Sequence, residues 1–213
     1  MARAVIFDLD GTLADTLADI AASMNHALAA LGLPVHDECA YREFVGAGVE
    51  QLGRNVLPRG AAASQVAVVA EFRRHYAEHL LDRSVPFAGI VALLDALDTR
   101  GVRRAVLSNK PEWATLRMVT ALFAEPPFAV VAGDREGFPR KPDPTRALAV
   151  AAELSVVPAA CLFVGDTPID MATARAAGMV AVGVSWGFRP PAELLAAGAA
   201  HLIDHPGELL ALL

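Results

Sequence analysis

The chain has little cysteine, no long apolar run and no excess of positive charge. Its 213 residues include only two cysteines, Cys39 and Cys161. They lie far apart in sequence, so a disulfide framework is not expected. Hydrophobic residues make up 54% of the chain, but no uncharged apolar stretch is long enough to span a membrane. The formal net charge is −6 and there is no basic stripe, which argues against nucleic acid as a partner. We therefore expect a cytoplasmic protein that binds neither membranes nor nucleic acids.

The first apolar segment ends in two aspartates. Residues 4–7 are typical of a short buried strand, and Gly11 ends it. This run lacks the charged lead-in and cleavage site of a signal peptide. Side chains two residues apart on a strand point to the same side, so Asp8 and Asp10 should project together. Two carboxylates there repel each other, which indicates a cation, a proton or a reaction. The alternative is a strand that merely ends in an acidic turn.

Later segments have the same layout, with an apolar run, then polar residues, then a helical pattern. Ser108 follows one such run, Asp166 follows another, and Lys141 lies shortly after a third. Strands that alternate with helices predict a Rossmann-like α/β core whose parallel sheet carries a site along one edge. The expected strands span residues 4–7, 103–107, 128–133, 160–165, 180–184 and 201–203.

A helical insertion interrupts this pattern after the first strand. The sheet-like pattern stops at Leu13 and resumes near Val102. We expect residues 15–84 to form an inserted α-helical cap, and residues 1–14 and 85–213 to form the core. An insertion at this point can close over the site and exclude water. Its two helical stripes comprise Leu17, Ile20, Met24, Leu28 and Leu31, and Val66, Val69, Phe72, Tyr76 and Leu80.

Four motifs in order give the chain a family resemblance. The run from Asp8 to Thr12, then Ser108, Lys141, and Gly165-Asp166 with Asp170 resemble the four motifs of the haloacid dehalogenase superfamily. The likeness covers nearly the full length, and the superfamily places helical caps at this position. At finer grain, three segments look most like the phosphoglycolate phosphatase branch: residues 45–48, 108–111 and 184–188.

The strand-end residues suit phosphoryl transfer. Asp8 is placed to attack phosphorus and form an aspartyl-phosphate. Asp10 could protonate the leaving alcohol and then take a proton from the attacking water, and the resemblance assigns the two roles in this order. Lys141 would balance charge on the transition state and on Asp8. The alternative for Lys141 is a solvated loop lysine.

Acidic side chains at two strand ends predict a magnesium site. Oxygen ligands shared with a phosphate suit Mg²⁺ rather than Zn²⁺. The resemblance implies that Asp8, Asp166 and the backbone carbonyl of Asp10 are ligands, and that Asp170 holds a metal-bound water or ligand in place. Carboxylates at a helix N-terminus also serve as caps, which is the alternative for Asp166 and Asp170.

Substrate contacts are expected from both parts of the chain. Ser108 and the amides around Asn109 suit a phosphate oxygen, although Ser108 could equally be a helix N-cap. The glycines Gly46 and Gly48 allow backbone to approach a small ligand closely. A carboxylated substrate would also need a cation, for which Arg54 is the first candidate. Arg42 and Lys110 are others, and each of the three could instead be a surface charge.

These observations predict a Mg²⁺-dependent phosphatase of a small phosphorylated metabolite, and the finer resemblance implies 2-phosphoglycolate as the substrate. Sugar phosphates, nucleotides and pyrophosphate are alternative substrates, and a phosphomutase would use the same aspartates. A signalling receiver module or a catalytically silent relative is the non-enzyme alternative. The receiver motifs follow another chain order, and a silent relative should have lost Asp8, Asp10 or Lys141, all of which are present. We expect a monomer or a homodimer.

Overall fold

Six strands form one parallel sheet, as the sequence predicts. The computed structural model describes residues 3–125 and 127–213. Its strands are β1 (Ala4–Phe7), β2 (Ala14–Asp15), β3 (Val85–Pro86), β4 (Arg103–Pro111), β5 (Val130–Asp134), β6 (Cys161–Gly165), β7 (Val180–Val184) and β8 (His201–Ile203). The large sheet has the order β5-β4-β1-β6-β7-β8, with all neighbours parallel. The strand β1 is thus central, between β4 and β6.

Nine α-helices connect or flank these strands in the described residues. They are α1 (Leu17–Ala30), α2 (Tyr41–Phe44), α3 (Val49–Asn55), α4 (Gln65–His79), α5 (Ile90–Thr99), α6 (Glu112–Leu122), α7 (Thr145–Glu153), α8 (Pro168–Ala176) and α9 (Pro191–Ala196). Short 3₁₀ helices span Glu38–Ala40, Ala62–Ser64, Pro158–Ala160 and Pro206–Leu212. None of the described helices has the length and hydropathy required of a membrane span.

Alternation along β1 places apolar side chains on both faces of the sheet. Val5 and Phe7 belong to one hydrophobic cluster, which also contains residues of α1, α4, α5 and α6. Ala4 and Ile6 belong to the other, together with residues of α7 and α8. Burial of a large apolar side chain contributes about 1.5–3 kcal/mol, so a strand buried on both faces is held firmly in place. The residues that follow β1 therefore have a rigid support.

The helical insertion lies between β1 and β4, as expected. Its two ends meet in a short antiparallel ladder, in which Ala14 pairs with Pro86 and Asp15 with Val85. Within it, α1 packs against α4. The predicted stripe on α4 is wrong at Val66, whose exposed fraction is 82%, whereas Val68 is fully buried. The buried face of the first turn of α4 (Gln65–His79) is therefore that of Val68 and Val69, and Val66 lies on the exposed face.

The boundaries of β4, β5 and β6 differ from the expected ones, those of β6 by one residue. The strand β4 continues through Ser108 to Pro111, and α6 begins only at Glu112. Ser108 is therefore not a helix N-cap, since Pro111 occupies that position. The strand β5 begins at Val130, two residues later than expected. The long β4 carries three polar side chains, at positions 108–110, to the edge of the sheet.

Candidate active site

Three buried aspartates meet at the carboxyl ends of β1 and β6. Asp8 directly follows β1, Asp166 directly follows β6, and Asp170 lies in the first turn of α8. Each offers a carboxylate oxygen within 4.8 Å of the others. Their exposed fractions are 6%, 0% and 1%, respectively. The sequence-based expectation that strand ends would gather these residues agrees with this placement.

One ammonium group joins two of these carboxylates. Lys141 Nζ lies 2.8 Å from Asp8 Oδ1 and 2.7 Å from Asp170 Oδ1. Burial alone would lower the pKa of Lys141, but Asp170 and Asp8 outweigh it and hold this pKa above its ordinary value. Lys141 is therefore charged at neutral pH. Its own exposed fraction of 6% excludes the alternative of a solvated loop lysine.

The carboxylates keep more negative charge than this lysine balances. Burial raises the pKa of Asp8 from 3.8 to about 6, with Lys141 opposing the rise and Asp170 and Asp10 adding to it. Burial also raises the pKa of Asp166 well above its ordinary value, and Asp8 and Asp170 contribute. A hard divalent cation would relieve this repulsion, and carboxylate oxygens are its preferred ligands. The residues present therefore fit such an ion.

Neighbouring groups orient the carboxylates of β6 and α8. Asp166 accepts hydrogen bonds from Thr12 Oγ1 at 3.1 Å and from the Phe188 backbone N–H at 2.8 Å. Asp170 Oδ2 accepts from the hydroxyl of Thr167 at 2.6 Å and from its backbone N–H at 3.1 Å. Asp170 is thus a helix cap through one oxygen, while its other oxygen contacts Lys141. Asp170 therefore both caps the helix and contacts a charged group of the site, so the two interpretations of this residue are compatible.

Glycine is required where backbone approaches Asp166. Gly11 has a φ of +83°, and a Cβ there would lie 2.2 Å from Asp166 Oδ2. A Cβ on Gly187 would lie 2.2 Å from the Asp166 Cβ. Any larger residue at either position would displace this carboxylate.

The Asp10 side chain is not part of the three-carboxylate cluster and contacts Lys110. Lys110 Nζ lies 2.9 Å and 3.1 Å from the two carboxylate oxygens of Asp10, and 2.7 Å from the hydroxyl of Tyr76. The Thr16 hydroxyl also donates to Asp10 Oδ1, at 2.7 Å. Sequence reasoning named Lys110 only as a substrate cation and Tyr76 only as a packing residue. It missed that the two meet at Asp10.

Asn109 connects the cap to the Lys141 segment. Its Nδ2 donates to the backbone oxygens of Gly46, at 3.1 Å, and of Lys141, at 3.0 Å. Its Oδ1 accepts from the Lys141 backbone N–H at 2.9 Å. The Asn109 side chain is therefore engaged with protein groups, while the residue itself lines the cavity. Ser108 Oγ accepts from the Lys110 backbone N–H at 3.3 Å, and its hydroxyl hydrogen is free to turn toward a ligand.

A cavity of about 60 Å³ lies between these residues and the insertion. One water needs about 10–15 Å³ by this measure, so the cavity accommodates only a small ligand. Its core side contains Asp8, Asp10, Ser108, Asn109 and Lys110, and its cap side is largely apolar. The cap-side residues are Ile20, Val45, Gly46, Gly48, Val49, Leu52, Phe72, Arg73 and Tyr76.

The structure brings Gly46 and Gly48 to the cavity but not Arg54. The Arg54 side chain is exposed and donates to Gln51 at 3.3 Å. Arg42 donates to the Gly187 carbonyl at 3.2 Å and does not line the cavity. The arginine that does is Arg73, which sequence reasoning missed because nothing in the α4 pattern separates it from Arg74. Arg73 is held by Glu50, with 2.6 Å between Nη2 and Oε1.

Comparisons with known proteins agree with this geometry. The family model described as haloacid dehalogenase-like hydrolase matches residues 5–184. The phosphoglycolate phosphatase of Rhodospirillum rubrum is 39% identical over 207 residues, which cover 92% of this chain and 86% of the relative. The plasmid phosphoglycolate phosphatase of Cupriavidus necator is 37% identical over 214 residues, covering 99% and 92%.

A solved structure extends the likeness to three dimensions. The crystal structure of a protein from Lactobacillus delbrueckii subsp. bulgaricus matches with a TM-score of 0.91 and 31% identity, and the match covers 97% of this chain and 96% of that one. The sheet and the helical insertion are thus parts of a shared architecture. The chain belongs to the haloacid dehalogenase-like hydrolase family.

Proposed function

We propose that the chain is a Mg²⁺-dependent phosphatase that hydrolyses 2-phosphoglycolate. The contact of Lys141 with both Asp8 and Asp170, of which Asp8 lines a small cavity, carries this proposal. A buried carboxylate beside a fixed ammonium can attack an electrophile whose negative charge the ammonium then balances. The names of the relatives from Rhodospirillum and Cupriavidus support the choice of substrate.

The residues divide the reaction into two steps. Asp8 attacks phosphorus and forms an aspartyl-phosphate while the bond from phosphorus to the glycolate oxygen breaks, and Asp10 gives that oxygen a proton. Asp10 then takes a proton from the water that attacks the aspartyl-phosphate. Inorganic phosphate leaves, and the Asp8 carboxylate is restored. Lys141 stays on Asp8 and Asp170 throughout and balances the phosphoryl charge.

The magnesium ion would be held by Asp8 and Asp166, together with the backbone carbonyl of Asp10 and the supporting carboxylate of Asp170. When bound, it supplies positive charge to the phosphoryl oxygens. The hydrogen bonds from Thr12 and from the Phe188 backbone keep Asp166 oriented for this role.

Substrate choice belongs to the cap, which we take as residues 15–84. A cavity of about 60 Å³ favours a short substrate over a nucleotide or a hexose phosphate. Among the described residues, Arg73 is the only arginine that lines this cavity. Its guanidinium can bind a carboxylate through two parallel hydrogen bonds. A phosphorylated two-carbon carboxylate is small enough for the cavity and carries the negative charge that Arg73 can bind.

A phosphate-release assay with purified protein and Mg²⁺ tests the proposal. The panel is 2-phosphoglycolate, ethyl phosphate, glucose 6-phosphate, adenosine monophosphate and pyrophosphate. We expect the highest kcat/KM for 2-phosphoglycolate. Ethyl phosphate is of similar size but lacks the carboxylate, so the difference between the two kcat/KM values measures the contribution of the carboxylate. Higher kcat/KM for a sugar phosphate, nucleotide or pyrophosphate would contradict the substrate. Isomerisation of a sugar phosphate without phosphate release would indicate a mutase.

A further inference from the structure

We propose that Lys110 is a positioning residue for Asp10, and that Tyr76 of the cap holds Lys110 in place. The inference rests on the proposed function, because it concerns the proton transfer that Asp10 performs there. It gives a role to two buried polar groups that neither the phosphoryl step nor the metal site uses.

The contacts of Lys110 use all of its donors. An ammonium group has three N–H bonds. Lys110 Nζ has two contacts to the carboxylate of Asp10, at 2.9 and 3.1 Å, and one to the Tyr76 hydroxyl, at 2.7 Å. The side-chain exposed fraction of Lys110 is only 4%. No N–H is therefore left for a substrate carboxylate, and Lys110 acts on the reaction through Asp10.

The Tyr76 hydroxyl is oriented so that it can accept from Lys110. It donates its own hydrogen toward Met118 Sδ on α6, at 3.9 Å, which leaves an oxygen lone pair for the ammonium. The aromatic ring also lies beside the cation, with 4.8 Å between Lys110 Nζ and the ring centroid. Tyr76 is 3% exposed. Both the hydroxyl and the ring therefore favour one position of the ammonium.

The three residues come from separate parts of the fold. Asp10 follows β1, Lys110 lies near the end of β4, and Tyr76 lies on α4 within the insertion. Tyr76 reaches Lys110 only when α4 packs over the sheet edge. The orientation of the proton-transferring carboxylate thus depends on the cap being in place, through a single buried ammonium.

A defect in proton transfer has a signature that a general structural defect lacks. Protonation of the leaving oxygen matters most for an alcohol and least for a nitrophenolate, which leaves easily without a proton. Loss of Lys110 should therefore slow turnover of 2-phosphoglycolate and ethyl phosphate more than that of p-nitrophenyl phosphate. Binding of the substrates should change little.

The experiment measures kcat and KM of four variants on these three phosphomonoesters. Lys110→Met should lower kcat on both alkyl phosphates about 100-fold and kcat on p-nitrophenyl phosphate less than about tenfold. Its KM values should stay within about threefold of the wild type, and Lys110→Arg should recover part of the lost kcat. Tyr76→Phe, which removes one oxygen and no charge, should lower kcat on the alkyl phosphates about tenfold.

Tyr41→Phe is the matched control. Tyr41 is the other tyrosine of the chain, and it is equally buried within the insertion. Its hydroxyl donates to Asn25 Oδ1 at 2.7 Å, away from the cavity. Its loss should leave the ratio of kcat on 2-phosphoglycolate to kcat on p-nitrophenyl phosphate unchanged. Thermal unfolding of every variant shows whether the fold is kept.

Several results would overturn the inference. Equal losses of kcat on alkyl and aryl phosphates, in Lys110→Met and in Tyr76→Phe, would show that Lys110 only supports the fold. A rise in KM on 2-phosphoglycolate alone, with kcat kept, would make Lys110 a carboxylate contact. A wild-type protein that releases phosphate from no phosphomonoester would instead contradict the proposed function, and this inference with it.

Discussion

The two sides of the cavity are built from different kinds of residue. The core side contains the charged and polar side chains at strand ends, beside Pro111, Trp113 and Phe188. Each charged group there contacts at least one partner of opposite charge or a backbone donor. The cap side consists mainly of aliphatic and aromatic side chains on helices, with the guanidinium of Arg73 as its charged group among the described residues. The core side can thus bind and transfer a phosphoryl group, whereas the cap side limits size and shape.

This difference separates the residues that carry out phosphoryl transfer from those that select the substrate. A change in the core groups that act on phosphorus, such as Asp8 and Lys141, should affect every substrate by a similar factor, because all substrates share the phosphoryl group. A change on the cap side should affect substrates unequally, because they differ only in the leaving group. Lys110 with Tyr76 lies where the two sides meet, and the leaving-group experiment above examines that junction.

The largest effect is expected from Asp8→Asn on the core side. An amide cannot attack phosphorus, so turnover of every phosphomonoester should fall by about a thousandfold or more. Phosphate release from 2-phosphoglycolate and from p-nitrophenyl phosphate measures it, after mass spectrometry has excluded deamidation back to aspartate. The melting temperature should not fall, since the change removes a buried carboxylate that is repelled by its neighbours. Activity within tenfold of the wild type would exclude Asp8 as the nucleophile.

The buried acidic cluster should make the metal-free protein less stable as the pH rises. Since the pKa of Asp8 is about 6 in the folded state and 3.8 ordinarily, the folded state binds more protons between these values. Its free energy of unfolding is therefore highest below pH 4 on this account and falls up to about pH 6, by at most about 3 kcal/mol. Asp166, whose pKa is raised as well, acts in the same direction.

Magnesium ions should oppose this loss, because they bind the ionised carboxylates of the folded state. Urea unfolding from pH 4 to 7, with EDTA or with Mg²⁺, measures both effects. Asp166→Asn is the comparison variant, since the Thr12 hydroxyl can rotate to accept from the new amide. The free energy of unfolding of Asp166→Asn should depend less on pH and on Mg²⁺ than that of the wild type. Equal dependence of stability on pH in the metal-free wild type and in metal-free Asp166→Asn would contradict the coupling among the buried carboxylates, because the surface carboxylates contribute equally to both proteins.

The core side of the site could be predicted from the sequence to a greater extent than the cap side. The strand-end rule brings Asp8 and Asp166 to one edge of the sheet, because parallel strands place their carboxyl ends together, and the loop after β5 brings Lys141 to them. The structure has that sheet and that edge, with strand limits displaced by a few residues. The rule operates on the core side because the backbone of a buried strand determines where the next residue lies.

The cap side could not be predicted in this way. A helical stripe shows that one face of α4 is buried, but it does not show whether Tyr76 meets apolar atoms or an ammonium. Arg73 and Arg74 are adjacent, and only the docking angle of α4 places the first at the cavity. One signal was present for Lys110: the only two lysines of the chain both precede proline near a strand end. Both are buried against aspartates.

A smaller and substrate-dependent effect is expected from Arg73→Ala on the cap side. Loss of its guanidinium should lower kcat/KM for 2-phosphoglycolate by about 10- to 100-fold, mainly through KM, because a charged hydrogen bond contributes about 1.5–3 kcal/mol. The kcat/KM for ethyl phosphate should change by less than about threefold. Arg74→Ala, next along the helix and paired with Glu71, is the matched control and should change neither substrate.

Arg54→Ala distinguishes the prediction that Arg73 binds the substrate carboxylate from the sequence-based prediction that Arg54 does. If Arg54 contacted the substrate carboxylate, Arg54→Ala would selectively lower kcat/KM for 2-phosphoglycolate. Arg73→Ala would then leave this selectivity unchanged. Because the Arg54 side chain is exposed and does not line the cavity, we expect wild-type kinetics. Equal losses on both substrates in Arg73→Ala would show that Arg73 supports the cap and not the substrate.

The smallest effect is expected from Glu43→Gln at the rim. Arg189 of the core donates to the Glu43 side chain, and at 2.7 Å to its backbone oxygen, which the substitution leaves in place. The Glu43 carboxylate is 63% exposed, and an exposed ion pair contributes about 1 kcal/mol or less. The kcat/KM of every substrate should therefore change by less than about threefold, and the change should vanish in high salt. Glu71→Gln is the control, because its ion pairs with His26 on α1 and Arg74 on α4 both lie within the insertion. A tenfold loss in Glu43→Gln alone would mean that charged contacts at the rim hold the cap over the core, and that the buried contact between Tyr76 and Lys110 is secondary.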